Sequence, residues 1–196
     1  MYTYCGNNPI LYEDSLGTRY VCAPAYWGGG SNYIYDQTAD EIGDKEFGNS
    51  KISHSGCGVV ATYNTLVSLG CVPDFDEIIQ SYEQSGNLLF GGLAGMPYRA
   101  VADYFADAGY DVSMYTDTEL FSYYASQSDA SVIWHTWATS SGMGMHFFHV
   151  DSVAGLNRGY NVYSNESTVR YLPSNISDFF SGSDGKYSVI ICINRR

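Results

Sequence analysis

The chain has 196 residues, 45% of them hydrophobic, with 21 Asp plus Glu against 9 Lys plus Arg and a net charge of −12. That length suits one domain, or two tightly packed lobes around a sizeable core. The acidity excludes the basic stripe that nucleic-acid binding requires and argues against an anionic membrane surface, and no apolar run approaches the length of a membrane span.

Residues 1–34 are rich in Gly, Tyr and Asn with weak periodicity, and read as an irregular arm with short strands and a loop at Gly28-Gly29-Gly30-Ser31. The start, Met1-Tyr2-Thr3-Tyr4-Cys5-Gly6, lacks the basic end and apolar core of a signal peptide. The expectation is therefore a cytoplasmic protein, or a secreted one whose leader has been removed. Residues 35–128 read as a mainly helical lobe. One helix opens at Cys57, carries Val60, Tyr63 and Val67, and breaks at Gly70. Pro73-Asp74 opens a second, with Phe75, Ile78, Ile79 and Tyr82 at i, i+3, i+4, i+7 spacing. A loop follows at Gly91-Gly92-Leu93-Ala94-Gly95. Pro97 stands as the first residue of a third helix, which ends at Gly109 and buries Tyr98, Val101, Phe105 and Ala108. A strand over 110–114 comes next, then a helix capped by Thr116 or Asp117 and carrying Leu120, Phe121 and Tyr124. Residues 129–196 read as a mainly antiparallel β lobe, with strands over 131–137, 146–153, 160–164 and 187–193. A short helix around Asp178-Phe179-Phe180 precedes the last strand. Helices in the middle and strands at the end predict one α+β domain with segregated layers.

The five cysteines are Cys5, Cys22, Cys57, Cys71 and Cys192. An odd count leaves at least one thiol without an intrachain partner, and no C-x-x-C pair marks a zinc site. Cys5 and Cys22 can bridge in an oxidising compartment, whereas Cys71 and Cys192 read as core residues. Cys57 differs, because it stands between Gly56 and Gly58 where a helix begins. The free N–H groups and dipole of a helix N-terminus favour thiolate over thiol, and flanking glycines let a substrate backbone come close. The competing reading is a small buried hydrophobe, the commonest fate of a cysteine.

A nucleophilic thiol needs a base, and the base needs an orienting group. Of the four histidines, His54 lies in the loop before Cys57, and His135 sits between Trp134 and Trp137 as a packed residue. His146 starts a strand that turns within Gly155–Gly159 and returns as Tyr160–Asn165. Pairing His146 with Asn165 centres the hairpin inside that turn, and directly opposed residues share a face, so Asn165 would fix the His146 ring. His149, three residues on, faces the other way unless a bulge reverses the parity. The same alternation separates His146 from His149 and Asp151 as metal ligands, so neither a metal nor another cofactor is expected.

The stretches Tyr35-Asp36-Gln37, Phe47-Gly48-Asn49-Ser50-Lys51-Ile52 and Ser55-Gly56-Cys57-Gly58 resemble the start of papain-fold cysteine peptidases of the bacteriocin-processing (C39-like) type. His146-Phe147-Phe148-His149-Val150-Asp151-Ser152-Val153 resembles the strand carrying their histidine. Gly159-Tyr160-Asn161-Val162-Tyr163-Ser164-Asn165 resembles the strand ending in their Asn or Asp. The likeness runs from about Tyr35 to the C-terminus, and the order Gln, Cys, His, Asn is more specific than any single motif. It implies a papain-like fold, with a central Cys-bearing helix packed on an antiparallel sheet that carries His and Asn. It further implies Cys57 as nucleophile, His146 as base and acid, Asn165 as orienter, and the Gln37 amide with the Cys57 N–H as oxyanion hole. The family often has Asp-Pro where Asn165-Glu166 stands, which makes Glu166 a rival orienter, and often proline where Val59 stands. The expected activity is hydrolysis of a peptide or isopeptide bond in a peptide or protein substrate. The alternatives are a peptide-binding module without activity, or a cell-wall amidase or transferase. The amidase would prefer Asp before the cysteine, where Ser55-Gly56 stand.

Overall fold

The computed structural model describes residues 33–139, 142–180 and 187–196, together with a short ladder of β1 (Tyr12–Glu13) and β2 (Val21–Cys22). The expected loop over 28–31 and the Cys5 end of a Cys5–Cys22 bridge lie outside them. Cys71, expected as a core thiol, is buried and disulfide-bonded, while Cys57 and Cys192 are free.

A run of short elements, α1 (Asp40–Gly43), β3 (Glu46–Phe47), β4 (Ser50–Lys51) and α2 (Ile52–Ser55), feeds into α3 (Cys57–Ser68). Nine of the twelve α3 residues are buried, including Val59, Val60 and Ala61. A helix with little polar surface belongs at the centre of a fold. Its buried hydroxyls are satisfied locally: Thr62 Oγ1 donates to Gly58 O (2.9 Å) and Thr65 Oγ1 to Ala61 O (2.8 Å). The arm is pinned to it by a reciprocal pair, Ile34 N–H to Asn64 Oδ1 and Asn64 Nδ2 to Ile34 O, both 2.8 Å. Beyond Leu69, Gly70 adopts φ +83°, a left-handed conformation that ends the helix as expected.

Next, α4 (Phe75–Ser85) starts at Asp74, whose carboxylate accepts the N–H groups of Asp76 and Glu77, and it turns Ile78, Ile79 and Tyr82 inward. In α5 (Tyr98–Asp107), Pro97 is extended and stands just outside the helix rather than as its first residue. Val101, Phe105 and Ala108 are buried, and Tyr98 leans on Trp134 with ring centroids 5.2 Å apart. Asp117 caps a short 3-10 turn, and α6 (Phe121–Ser126) follows with Phe121 buried and Leu120 turned outward.

The strands β5 (Asp111–Tyr115), β6 (Ala130–Thr139), β7 (Gly142–Val153), β8 (Leu156–Tyr160), β9 (Arg170–Tyr171) and β10 (Ser188–Asn194) form one sheet of order β5-β10-β6-β7-β8-β9, antiparallel throughout. Its two faces carry separate cores. Val132, Trp134, Phe147 and Ile191 pack with α3, α4 and α5, whereas Ile133, Phe148, Val150 and Ile190 pack with α6 and the flank of α7 (Ser177–Phe180). The α+β class is as expected, with helices on both faces of the sheet.

The β7–β8 hairpin departs from expectation. Val153 pairs with Leu156 and His149 with Tyr160, so the turn is the two residues Ala154 (φ +52°) and Gly155 (φ +80°). Two left-handed residues match the twist of the flanking strands, which is why such turns close hairpins. The returning strand therefore occupies 156–160 rather than 160–164, and it ends where Asn161 takes φ +58°.

His149 lies in the core between the sheet and α3. Its Nδ1 faces the Ser131 carbonyl (2.9 Å), which can only accept, so Nδ1 carries the proton; Thr65 Oγ1 is 3.1 Å away. Burial pushes the ring down to about 4, so it stays neutral in the native protein while the unfolded one takes a proton below about 6.5. The stabilisation is therefore complete above about pH 6.5 and is lost as pH falls toward 4, by on the order of 3 kcal/mol for this residue. Urea unfolding at pH 7 and pH 4.5 is expected to show the loss, and His149→Gln to flatten the difference. An unchanged difference would show that His149 does not carry it.

Candidate active site

Cys57 is the first residue of α3, with Gly56 in the cap position, and is 8% exposed. Gly56 passes so close to α2 that an added Cβ would lie 2.7 Å from Ile52 Cα. On the opposite side, Gly95 (φ +70°) approaches to where a Cβ would meet Ser55 O at 3.0 Å. The loop over 91–95 thus abuts the turn that carries the thiol. Burial pushes the Cys57 thiol up to about 11. Backbone hydrogen bonds from Phe147, Gly58 and Cys57 itself favour the thiolate but do not offset it. The resting sulfur is protonated at neutral pH, and among the described residues no charged side chain stabilises its thiolate.

Gln37 is buried and bridges two regions. Its Nε2 donates to Ile52 O and Ser53 O (both 3.2 Å), in the turn leading to Cys57. Its other contacts go to Asn161, whose Oδ1 accepts the Gln37 backbone N–H (2.9 Å) and whose Nδ2 donates to Gln37 Oε1 (3.2 Å). Asn161 also supplies its carbonyl to His146 Nε2 at 2.6 Å. A carbonyl only accepts, so the neutral ring is the Nε2–H tautomer and Nδ1 is its basic nitrogen. Burial lowers the His146 pKa, opposed by the Asn161 carbonyl and the negative charge of Glu166.

The structure thus joins Gln37, the turn before Cys57 and His146 in one hydrogen-bond chain, with Asn161 as the link. Two expectations need correcting. Asn165 does not stand opposite His146, because the shorter turn shifts the register by two residues and β8 stops at Tyr160. The hydrogen bond at Asn165 is from its backbone N–H to Asp36 Oδ2 (2.9 Å). Glu166, named as its rival, lies nearer the ring electrostatically: it accepts the N–H groups of Val162 and Tyr163 (both 3.2 Å) and pairs with Arg170.

The second correction concerns faces. Met145, Phe147 and His149 point to the α3 side of β7, and Phe147 shares a core with Cys57. His146 has the parity of Phe148 and lies with His135 on the opposite side, ring centroids 6.3 Å apart. The bulge that would reverse this parity is absent, since His135 pairs with His146 and Trp134 with Phe147 in an unbroken ladder.

No protein-family model matches this chain, and no curated protein matches it. Among the described residues, no helix is long and apolar enough to cross a membrane.

In the sequence Asn161 falls within the expected strand over 160–164, and its one signal is that Asn tolerates φ > 0. Asn161→Ala is expected to destabilise the fold by about 2–3 kcal/mol, from two lost hydrogen bonds to Gln37 and strain at positive φ. Asn165→Gly, which keeps the left-handed backbone, should stay within about 0.5 kcal/mol. Urea midpoints for the two variants check this, and equal losses would contradict it.

Proposed function

We propose that the chain is a thiol hydrolase of peptide or isopeptide bonds, with Cys57 as nucleophile and His146 as base and acid. The observation that carries the reading is the chain of hydrogen bonds from the turn before Cys57 through Gln37 and Asn161 to His146 Nε2–H, which leaves Nδ1 as the base. An orienting group that fixes the tautomer of the base is what a Cys-His pair requires. In the reaction, Nδ1 takes the Cys57 proton and the sulfur attacks the carbonyl carbon. The developing oxyanion is held by N–H groups at the start of α3 and by the Gln37 amide, which gives up one of its bonds to Ile52 O and Ser53 O to reach it. His146 then gives the proton to the departing amine. Water, deprotonated by the same nitrogen, cleaves the thioester and restores the thiol.

This chemistry demands a change at β7. A one-residue bulge between Met145 and Phe147 would carry His146 to the face of Cys57, and the end of β8 at Tyr160 leaves that edge without a neighbouring strand to resist it. Substrate binding would supply the drive.

A second reading, a peptide-binding module without hydrolysis, is favoured by one specific observation. The residue that β7 presents toward Cys57 is Phe147, and the thiol is pushed up to about 11. Digestion of a mixed-sequence peptide library separates the two. The hydrolase reading expects new N-termini with the wild-type chain and none above background with Cys57→Ala or His146→Ala. A wild-type chain that cuts no more than Cys57→Ala contradicts it, and retention of uncut peptides would then support the binding module.

The resting arrangement also fixes how Cys57 responds to alkylation. In the absence of peptide, the rate of iodoacetamide labelling at Cys57 should climb only above about pH 9 and be no faster than at Cys192, whose thiol burial also raises. Mass-spectrometric mapping of the label reads both sites. Rapid labelling of Cys57 at pH 6 would mean that a thiolate is already formed.

A further inference from the structure

The face of the sheet turned away from Cys57 holds a cavity of about 270 Å³ between β6, β7 and α7. Its walls are aromatic: Trp137, Tyr163, Phe179 and Phe180 surround a floor formed by His135 and His146. The rings make edge and tilted contacts, with centroids 5.5 Å apart for His135–Phe180 and 5.9 Å for Tyr163–Phe179. Arg170 closes the outer side of Tyr163, its guanidinium carbon 4.7 Å from the ring centroid, and is itself held by Glu166. Such fixing holds the wall in place without a ligand.

Two features distinguish this cavity from ordinary packing. The first is His135 Nδ1, which is buried and has no hydrogen-bond partner among the described residues. A buried imidazole nitrogen without a partner carries a desolvation cost that a ligand group would relieve. The second is Gly144, which pairs with Trp137 across the ladder; a Cβ there would lie 2.3 Å from the indole ring. The absent side chain lets the indole lie on β7 and form one wall.

We infer that this cavity binds a small neutral phenolic ring, its hydroxyl on His135 Nδ1 and its faces against Trp137 and Phe180. The volume lies just under the range of about 300–1,000 Å³ typical of small-molecule pockets, which suits one ring rather than a larger ligand. Offset and edge contacts with four aromatic walls favour an aromatic occupant over an aliphatic one. A hydroxyl satisfies Nδ1 in either tautomer, because it both donates and accepts. Neutrality follows from the floor: burial and the neighbouring His146 push His135 down to about 4, so the site offers an anion no charge. The site lies away from Cys57 but shares His146 with the proposed hydrolase centre, and its occupation is read in the resting arrangement without any hydrolysis.

Titration of the full chain with phenol, toluene and N-acetyl-tyrosinamide, followed by side-chain NMR of His135, His146 and Trp137, tests the inference. Saturable shifts at these three residues are expected with phenol, and affinity about five- to tenfold above that for toluene, the worth of one hydrogen bond. His135→Phe keeps the ring and should abolish that preference, and Gly144→Ala should weaken phenol by displacing Trp137. Tighter binding of N-acetyl-tyrosinamide than of phenol identifies a tyrosine side chain as the source of the ring, and weaker binding identifies a free phenol; either supports the site. Equal affinity for phenol and toluene, or no saturable shift in the wild-type chain, would overturn it without reference to any variant.

Discussion

Side chains alternate along β7, and α3 packs only against the face that carries Met145, Phe147 and His149. That choice of face governs the candidate site. It puts Phe147 beside Cys57, buries His149 against Thr65, and turns His146 toward His135 and the aromatic cavity. The connection between thiol and imidazole is then made at the edge of the sheet, where β8 ends and Asn161 takes a left-handed conformation. Asn161 reaches both ways, through its side chain to Gln37 and through its carbonyl to His146.

On the proposed hydrolase reading, the consequence is a site whose parts are linked by hydrogen bonds but held apart in a resting state. A buried thiol pushed up to about 11 is inert at neutral pH, and a histidine whose pKa burial has lowered is uncharged. Neither group forms an imidazolium–thiolate pair, so the proposed hydrolysis would require both the burial of the thiol and the parity of His146 to change together. The local structure is suited to such a change. Residues 142–148 of β7 are paired on one side only, to β6, whereas His149 and Val150 are paired on both sides. Strand segments with one free edge accept bulges more readily than those locked on both.

Much of the fold is legible in the sequence, because it rests on local chemistry. Asp74 reads as a cap and caps; Ile78, Ile79 and Tyr82 share a spacing and a buried face; Gly70 ends α3. The position of Cys57 at a helix N-terminus is legible for the same reason. The register of the hairpin is not. Its turn is Ala154-Gly155, and an alanine at φ +52° carries no turn signal, whereas Gly155 and Gly159 suggest a longer loop. Nor can the sequence tell which face of β7 meets α3. Helices cover both sides of the sheet, so Phe147 and Phe148 are equally apolar, and the alternation that normally marks the core side is missing. The Gln37–Asn161 link spans 124 residues and follows from tertiary packing alone.

The account turns on where the His146 ring spends its time, and ¹⁵N titration of that imidazole measures this most directly. It predicts a neutral Nε2–H tautomer, a pKa below the ordinary value of about 6.5, and no change in either when Cys57 is replaced by Ser. A His146 that titrates above that value in the wild-type chain, and falls on Cys57→Ser, would instead place thiolate and imidazolium in contact and contradict the arrangement of faces described here.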